Sequence, residues 1–174
     1  ISNAELVATF NAYADKWNAA HADEIAAGAV AAKDHSSEEF ILKASGIESR
    51  FVMDKDGVLD PDVMHPLLRQ RSDEEPGIMA EMAVDAAYKA LAQAGKTAAD
   101  VDAVICAASN HERAYPAVAI EIQQLLGIDG FAFDMNVACS SATFGLHAAA
   151  DMVRSGSLRS ALVVNPEICP APLE

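Results

Sequence analysis

From residue 76 onward, the apolar residues alternate between helical and strand-like spacing. Apolar positions three and four residues apart predict three amphipathic helices, at 79–94, 116–126 and 140–155. Short, nearly continuous apolar runs predict three strands, at 101–108, 131–137 and 160–164. Because helix and strand alternate over short connections, we predict right-handed βαβ units, and therefore an α/β fold with a mainly parallel sheet covered by helices.

The first 75 residues are less regular. Their predicted elements are helices at 3–17 and 21–32, a short helix between the capping box at 36–39 and Gly46, a strand at 47–53 and a turn at 54–57. From there to residue 75 the chain is polar and interrupted by prolines, which predicts a surface excursion. The length fits one domain, with a helical opening and insertions at about 1–75 and a βαβ core at about 76–174.

Composition narrows the possible partners. The apolar fraction is 52% and the formal net charge is −14. So acidic a chain disfavours nucleic acids and anionic membranes, because both are bound through basic residues. No apolar run is long enough to span a bilayer and the N-terminus does not resemble a signal peptide, so we expect a soluble, cytoplasmic protein. The three cysteines lack CxxC spacing, which indicates free thiols and no metal site.

Cys139 lies where a predicted strand passes into a predicted helix. The free amides and the positive dipole end of a helix N-terminus stabilise an anion, so this position would lower the pKa of the thiol and could later hold an oxyanion. The flanking residues are small and leave room for a substrate carbonyl. Asp134 and Asn136, just before the cysteine, are expected to hydrogen-bond within the turn. A buried structural cysteine is an equally open interpretation of this pattern.

Short segments spread over the chain carry a resemblance to a known family. They are SNAEL at 2–6, SGIESR at 45–50, MAVDAA at 82–87, VDAVI at 101–105, YP at 115–116, QQLLG at 123–127, FD at 133–134, AC at 138–139, SG at 155–156 and ALVV at 161–164. Together they resemble the N-terminal half of the β-ketoacyl-acyl-carrier-protein synthase III family, condensing enzymes with the thiolase fold. The expected fold is therefore the N-terminal half of a thiolase-like fold over residues 1–174.

The resemblance implies a decarboxylative condensation in two stages. Cys139 matches the family's nucleophile and would accept an acyl group from acyl-CoA or acyl-ACP, the acyl carrier protein thioester. Malonyl-ACP would then lose carbon dioxide and attack this acyl-enzyme. No cofactor is implied beyond these substrates, acyl carrier protein is the implied partner, and the working form would be a homodimer. The family's catalytic histidine and asparagine belong to the second half of the fold, and no histidine here matches that histidine.

Four further residues match substrate-binding positions of the family. Tyr115 matches an aromatic residue that reaches across the dimer, and Phe40 matches a tryptophan that stacks on the adenine of coenzyme A. Ser109 and Cys169 match positions beside the substrate channel. Tyr115, Ser109 and Cys169 also have an ordinary structural role as their alternative. Ala44 replaces the arginine that accompanies the tryptophan, which weakens or changes the expected binding of coenzyme A and favours either an acyl-carrier-protein primer or a nucleotide held by the inserted segments.

Other interpretations stay open. The nearest is a sister activity of the thiolase fold, an acyltransferase or another synthase, which would use the same cysteine. A second is a non-catalytic half-fold that acts as a heteromeric partner. A cysteine hydrolase is disfavoured, because no histidine is positioned as its base. The chain starts at Ile1 without the strand that opens family members, so we expect a fragment of a longer protein whose sheet edges need a partner.

Overall fold

The computed structural model describes residues 1–72 and 74–168. There the chain forms two compact units, Ile1–Arg69 and a second unit that begins at Gln70. The first unit holds the helices α1 (Asn3–Ala20), α2 (Ala22–Ala26), α3 (Glu38–Ser45) and α4 (Lys55–Leu59). The second holds, in order, α5 (Ile78–Ala94), a 3-10 helix (Ala98–Asp100), β1 (Ala103–Ala107), α6 (Val118–Leu126), β2 (Phe131–Met135), α7 (Ser141–Arg154) and β3 (Ala161–Val164).

The two opening helices depart in length from the prediction, in opposite directions. α1 is longer than expected and begins with a capping box, in which the Ser2 hydroxyl accepts from the Glu5 amide and the Glu5 carboxylate accepts from the Ser2 amide. α2 ends at Ala26, well before residue 32. Gly28 takes a left-handed φ of 70° there, which ends a helix readily because glycine has no Cβ.

Two predictions for residues 47–57 are wrong. The predicted strand at 47–53 forms only an isolated antiparallel bridge between Ser2 and Ser49, beside a hydrogen bond from the Arg50 amide to the Ile1 carbonyl (2.9 Å). Its neighbour is the start of the chain, which turns into α1 at once, so no ladder develops. The predicted turn at 54–57 is the beginning of α4.

Asp54 caps the start of α4 and also hydrogen-bonds to a later residue of the polar segment. Its Oδ1 atom accepts from the amides of Asp56 and Gly57, which caps the helix. Its Oδ2 atom accepts from the Leu67 amide at 2.8 Å. The bonds from Leu67 and Gly57 hold the pKa of this carboxyl below its ordinary value. One side chain therefore closes a loop of thirteen residues in the first unit.

In the second unit, all three predicted helices and all three predicted strands are confirmed, with ends that differ from the prediction by at most two residues. The sheet has the order β2-β1-β3, and both pairings are parallel. In the central strand, Ile105 lies in register with Phe133 on one side and Val163 on the other. The observed architecture is the predicted α/β one, a parallel sheet covered by helices.

The two faces of the sheet are covered to different extents. Val104 and Cys106 of β1 belong to the larger core cluster, together with residues of α5 and α6. Ile105 and Ala107 point the other way and form a small cluster with Ala149 of α7. All five residues of β1 are buried, because the strand has a neighbour on each edge and helices on each face.

Gly145 lets α7 approach the sheet closely. A Cβ atom at this position would lie 2.9 Å from the Cβ of Ala107 and 3.1 Å from Cγ1 of Val163. The residues on either side of Gly145 are exposed, Phe144 by 52% and Leu146 by 61%. α7 therefore packs against the sheet along a face of small residues. Within residues 1–72 and 74–168, none of the helices combines the length and the apolar character required to cross a membrane.

Candidate active site

Cys139 lies in the turn between β2 and α7, directly before Ser140, the N-cap residue of α7. The cysteine is exposed. The strand-to-helix junction is therefore where the apolar pattern predicts it, and the thiol is open to a substrate. The alternative of a buried structural cysteine does not apply at this position.

The residue before the thiol has an unusual backbone conformation. Ala138 has a φ of 48°, and a left-handed conformation costs a non-glycine residue about 1–2 kcal/mol. Its amide donates to Oδ1 of Asn136 (3.0 Å), and its carbonyl accepts from Oγ of Ser141 (2.7 Å). The same Ser141 oxygen accepts from the Val137 amide (2.9 Å). Two side chains therefore hold this turn, and together they offset the backbone strain.

Asn136 takes the turn-bonding role that the sequence predicts, whereas Ser141 was not predicted. Ser141 is 3% exposed although it stands in the first turn of α7. A serine in the first turn of a helix is common, so the residue type alone carries no signal. Ser141 matters because it bonds to Ala138, the left-handed residue three positions earlier. A sequence does not reveal which alanine adopts a left-handed φ.

The first turn of α7 presents open backbone donors. The Ser141 amide donates to the Ala138 carbonyl (3.0 Å), whereas the amides of Ala142 and Thr143 have no acceptor in the part of the chain that the structure describes. Unpaired amides at the positive end of a helix stabilise negative charge. This turn therefore carries donors that can bind a carboxylate or an oxyanion.

Cys106 has the opposite environment. It lies in β1 with no exposed surface. Burial, reinforced by the charges of Asp134, Glu167 and Glu112, raises the pKa of its thiol to about 12. The thiol therefore stays protonated at neutral pH and acts as a small apolar side chain.

Cys106, His111 and Asp134 could bring three metal-ligand atoms within 4.8 Å of one another. A metal would need the Cys106 thiolate, which burial disfavours. It would also compete for the Asp134 carboxylate, whose two oxygens accept from the amides of Val118 and Ala119 at 2.8 Å each. The protonated thiol and the bonds already made by the carboxylate therefore disfavour a metal ion at these three residues.

The prediction that Asp134 bonds within the turn is wrong, because this carboxylate caps α6 instead. The cap residue of α6 is Ala117, which has no side-chain acceptor. Asp134 on the neighbouring strand β2 supplies that acceptor and places negative charge at the positive end of α6. Sequence patterns find caps in residues next to a helix, and this one comes from a residue sixteen positions later.

Ser109 is connected to the turn of Cys139 through Asn136. The Asn136 side-chain amide donates to the Ser109 carbonyl (2.8 Å). The backbone amides of Ser109 and Asn110 donate to the Glu167 carboxylate, at 2.7 and 3.1 Å. Partial burial raises the pKa of Glu167, but these bonds outweigh burial and the pKa lies below its ordinary value. The predicted role of Ser109 beside a substrate channel stays a prediction.

The other predicted substrate-binding residues have different surroundings. Tyr115 precedes α6 and is 90% exposed. Phe40 is the third residue of α3, in the first unit, and is 65% exposed. Cys169 lies outside the described residues. Their roles therefore stay predictions.

No described histidine hydrogen-bonds to Cys139. His147 shares α7 with the turn but lies within 3.2 Å of the Asp151 carboxylate, four residues further along the helix. His111 is close to Asp134, at 3.9 Å, and to the Cys106 carbonyl, at 3.4 Å. Within 1–72 and 74–168, the thiol therefore has helix and turn groups around it but no imidazole base.

Comparison with known protein families finds a match in the second unit. Residues 133–173 match the family model of 3-oxoacyl-[acyl-carrier-protein (ACP)] synthase III. This matched segment contains the last three residues of β2, the turn with Cys139, α7 and β3. The family match therefore includes the site described above.

Relatives extend the match over most of the chain. A β-ketodecanoyl-[acyl-carrier-protein] synthase from Pseudomonas aeruginosa is 55% identical over 161 residues, which are 92% of this chain and 46% of that protein. A β-ketoacyl-[acyl-carrier-protein] synthase III from Acidiphilium cryptum is 47% identical over 88 residues, 50% of this chain and 28% of that protein.

Among solved structures, the priming β-ketosynthase of the R1128 polyketide pathway matches with a TM-score of 0.59 and 30% identity, over 76% of this chain and 34% of that chain. The chain spans about half the length, or less, of the curated relatives it matches. Fold, family model and relatives agree with one another and with the resemblance of the short segments. The chain therefore matches the N-terminal part of the β-ketoacyl-[acyl-carrier-protein] synthase III family and of its thiolase-like fold.

Proposed function

We propose that this protein is a condensing enzyme that accepts an acyl group on Cys139 and extends it with malonyl-ACP. One observation carries the proposal: Cys139 is exposed in a tightly hydrogen-bonded turn at the open N-terminus of α7. The family match over this turn and the names of the relatives support the same chemistry.

In the first stage, the Cys139 thiolate attacks the carbonyl carbon of an acyl thioester. The carbonyl oxygen becomes an oxyanion, for which the open amides of Ala142 and Thr143 are suitable donors. The carbon–sulfur bond of the donor then breaks, and the donor thiol leaves with one proton. The acyl group is now a thioester of Cys139.

In the second stage, malonyl-ACP loses carbon dioxide, and the electron pair of the broken carbon–carbon bond attacks the acyl carbonyl on Cys139. The Cys139 thiolate leaves, and the product is a β-ketoacyl thioester two carbons longer than the donor. In the family, a histidine and an asparagine assist this stage, and they belong to the second half of the family's fold. The described residues therefore supply the acyl-accepting stage.

The donor is proposed to be an eight-carbon acyl group. The Pseudomonas relative, 55% identical, is named for a ten-carbon β-ketoacyl product. Condensation with malonyl-ACP adds two carbons, so that name implies a donor of eight. Acyl carrier protein is the proposed carrier of the malonyl unit, because it stands in the names of both relatives.

The test is condensation by the full-length protein that carries this chain. Acyl donors of two to twelve carbons, on coenzyme A or on acyl carrier protein, are offered with malonyl-ACP, and β-ketoacyl-ACP is measured by mass spectrometry. We expect the fastest product formation from the eight-carbon donor and none from a Cys139→Ala variant. A folded protein that yields no β-ketoacyl-ACP from any donor would contradict the proposed function.

A further inference from the structure

The backbone before Cys139 is held on both sides of its strained residue. The Ala138 amide is bound by Asn136 and the Ala138 carbonyl by Ser141, at 3.0 and 2.7 Å. Left to itself, an alanine prefers a right-handed or extended conformation. A change of φ at residue 138 would rotate the plane of the next peptide and redirect the Cys139 side chain. These two side-chain bonds, together with the bond from the Ser141 amide to the Ala138 carbonyl, restrain the backbone that carries the thiol.

Ser141 is a buried residue whose side chain hydrogen-bonds to the turn. Its side-chain oxygen accepts from the Val137 amide (2.9 Å) and donates to the Ala138 carbonyl, so it bridges the two residues that precede the thiol. The residue is 3% exposed, and water therefore does not compete for these bonds. No other side chain of the described residues hydrogen-bonds to the Ala138 carbonyl.

Asn136 anchors the same turn to the sheet. Its side-chain oxygen binds Ala138 while its side-chain nitrogen donates to the Ser109 carbonyl, at the carboxyl end of β1. Ser109 is in turn held by Glu167, which follows β3. The turn is thereby tied to all three strands, since Asn136 itself follows β2 directly. These hydrogen bonds connect the turn of the exposed Cys139 to the sheet.

We propose that Asn136 and Ser141 are positioning residues, which clamp Ala138 and so hold the Cys139 thiol in its reactive direction. The inference rests on the proposed role of Cys139 as acyl acceptor. Neither side chain needs to touch the substrate. Because a misdirected nucleophile slows chemistry more than binding, the clamp should act on the rate of acyl transfer and leave donor affinity unchanged.

The test compares acylation of Cys139 in variants of the clamp. Ser141→Ala removes both bonds of the bridge, and Asn136→Ala removes the other half of the clamp. We expect each to slow acyl transfer at saturating donor by about 10- to 100-fold with an unchanged KM for the donor. Ser141→Thr keeps the hydroxyl and should restore most of the rate. Ser140→Ala is the matched control, because the neighbouring Ser140 makes no side-chain capping bond.

A double variant separates positioning from general loss of structure. Glycine adopts a left-handed φ without strain, so Ala138→Gly reduces the need for a clamp. We expect Ser141→Ala to cost less in an Ala138→Gly background than in the natural one, by at least about threefold in rate. Circular dichroism and thermal melting establish that each variant is folded.

The alkylation rate of Cys139 with iodoacetamide gives a readout that does not depend on the acyl donor. We expect it to fall in Ser141→Ala and Asn136→Ala and to stay unchanged in Ser140→Ala. If the folded Ser141→Ala and Asn136→Ala variants acylate and alkylate at the natural rates, the clamp is overturned while the proposed function stands. If the natural protein alkylates but is never acylated, the proposed function fails, and the alkylation rates alone decide the clamp.

Discussion

Cys106 and Cys139 belong to neighbouring parts of one unit and have opposite environments. Cys106 lies inside the sheet, with no exposed surface and a thiol pKa raised to about 12 by burial. Cys139 lies four residues beyond the end of β2, in an exposed turn at the start of α7. The same side chain is therefore an apolar packing group in one place and a candidate nucleophile in the other.

The backbone explains this difference. In β1, both edges of the strand are paired and both faces are covered, so any side chain there is desolvated. After β2, the chain leaves the sheet through the left-handed Ala138 and starts a helix with unpaired amides. Desolvation disfavours a thiolate, whereas open amides favour an anion. Position at a strand end is thus more informative than residue type.

The alkylation rate should differ more between the two cysteines than any other property considered below. Under native conditions we expect iodoacetamide to modify Cys139 at least about 100-fold faster than Cys106, because Cys106 reacts only when the sheet opens. Peptide mapping by mass spectrometry over a time course gives both rates. In denaturant the two rates should converge. Comparable rates in the native protein would mean that β1 is not the closed core strand described here.

Serine substitutions should separate the two positions in stability. Cys106→Ser buries a hydroxyl in an apolar cluster and should lower the free energy of unfolding by about 1–3 kcal/mol. Cys139→Ser exchanges one exposed group for another and should change it by less than about 0.5 kcal/mol. Urea unfolding of both variants beside the natural protein measures the difference. Equal losses for the two variants would argue against the assigned burial of Cys106.

Gly145 lies where α7, the helix that follows Cys139, packs against β1, the strand that contains Cys106. In Gly145→Ala, the new Cβ would lie 2.9 Å from the Cβ of Ala107, so the helix must shift. Overpacking costs about 1–3 kcal/mol and better helix propensity returns about 1 kcal/mol, which leaves a net loss of about 1 kcal/mol. Thermal melting measures it. A more stable variant would show that α7 packs less closely than described.

Low pH should weaken the hydrogen bonds by which Glu167, after β3, holds Ser109 and Asn110. The pKa of Glu167 is below its ordinary value of 4.5, so its ionised form is favoured in the folded state. Its contribution to stability is present above pH 4.5 and is lost as the pH falls through the lowered pKa. Glu167→Gln should therefore be less stable than the natural protein at pH 7 by a few tenths of a kcal/mol, and the gap should narrow near pH 3. A gap that widens in acid would contradict the assigned bonds.

The sequence predicts the second unit better than the first, in which residues 47–57 are wrongly predicted, for a physical reason. Strong apolar periodicity defines α5 through β3, since those elements bury a core. In residues 47–57 the apolar pattern suggests a strand and a turn, but side chains such as Asp54 decide the local structure. Local hydrogen bonds of this kind have no period and leave little trace in a pattern.

The candidate site is predicted in the same uneven way. Cys139 and its strand-to-helix junction follow from the pattern, as does the bonding of Asn136 to the turn. The capping of α6 by Asp134 and the bond of Glu167 to Ser109 do not follow, because they join residues far apart in sequence. Non-local polar contacts depend on how the strands lie side by side, and that is known only once the sheet is known.

In the proposed reaction, Cys139 and no other cysteine accepts the acyl group. The most direct measurement is a brief incubation of the full-length protein with an eight-carbon acyl donor and no malonyl-ACP, followed by peptide mapping of every cysteine. We expect one acyl group per chain, on the peptide that contains Cys139, and an unmodified Cys106. An acyl group on Cys106, or an unmodified Cys139 in a protein that still forms β-ketoacyl-ACP, would contradict it.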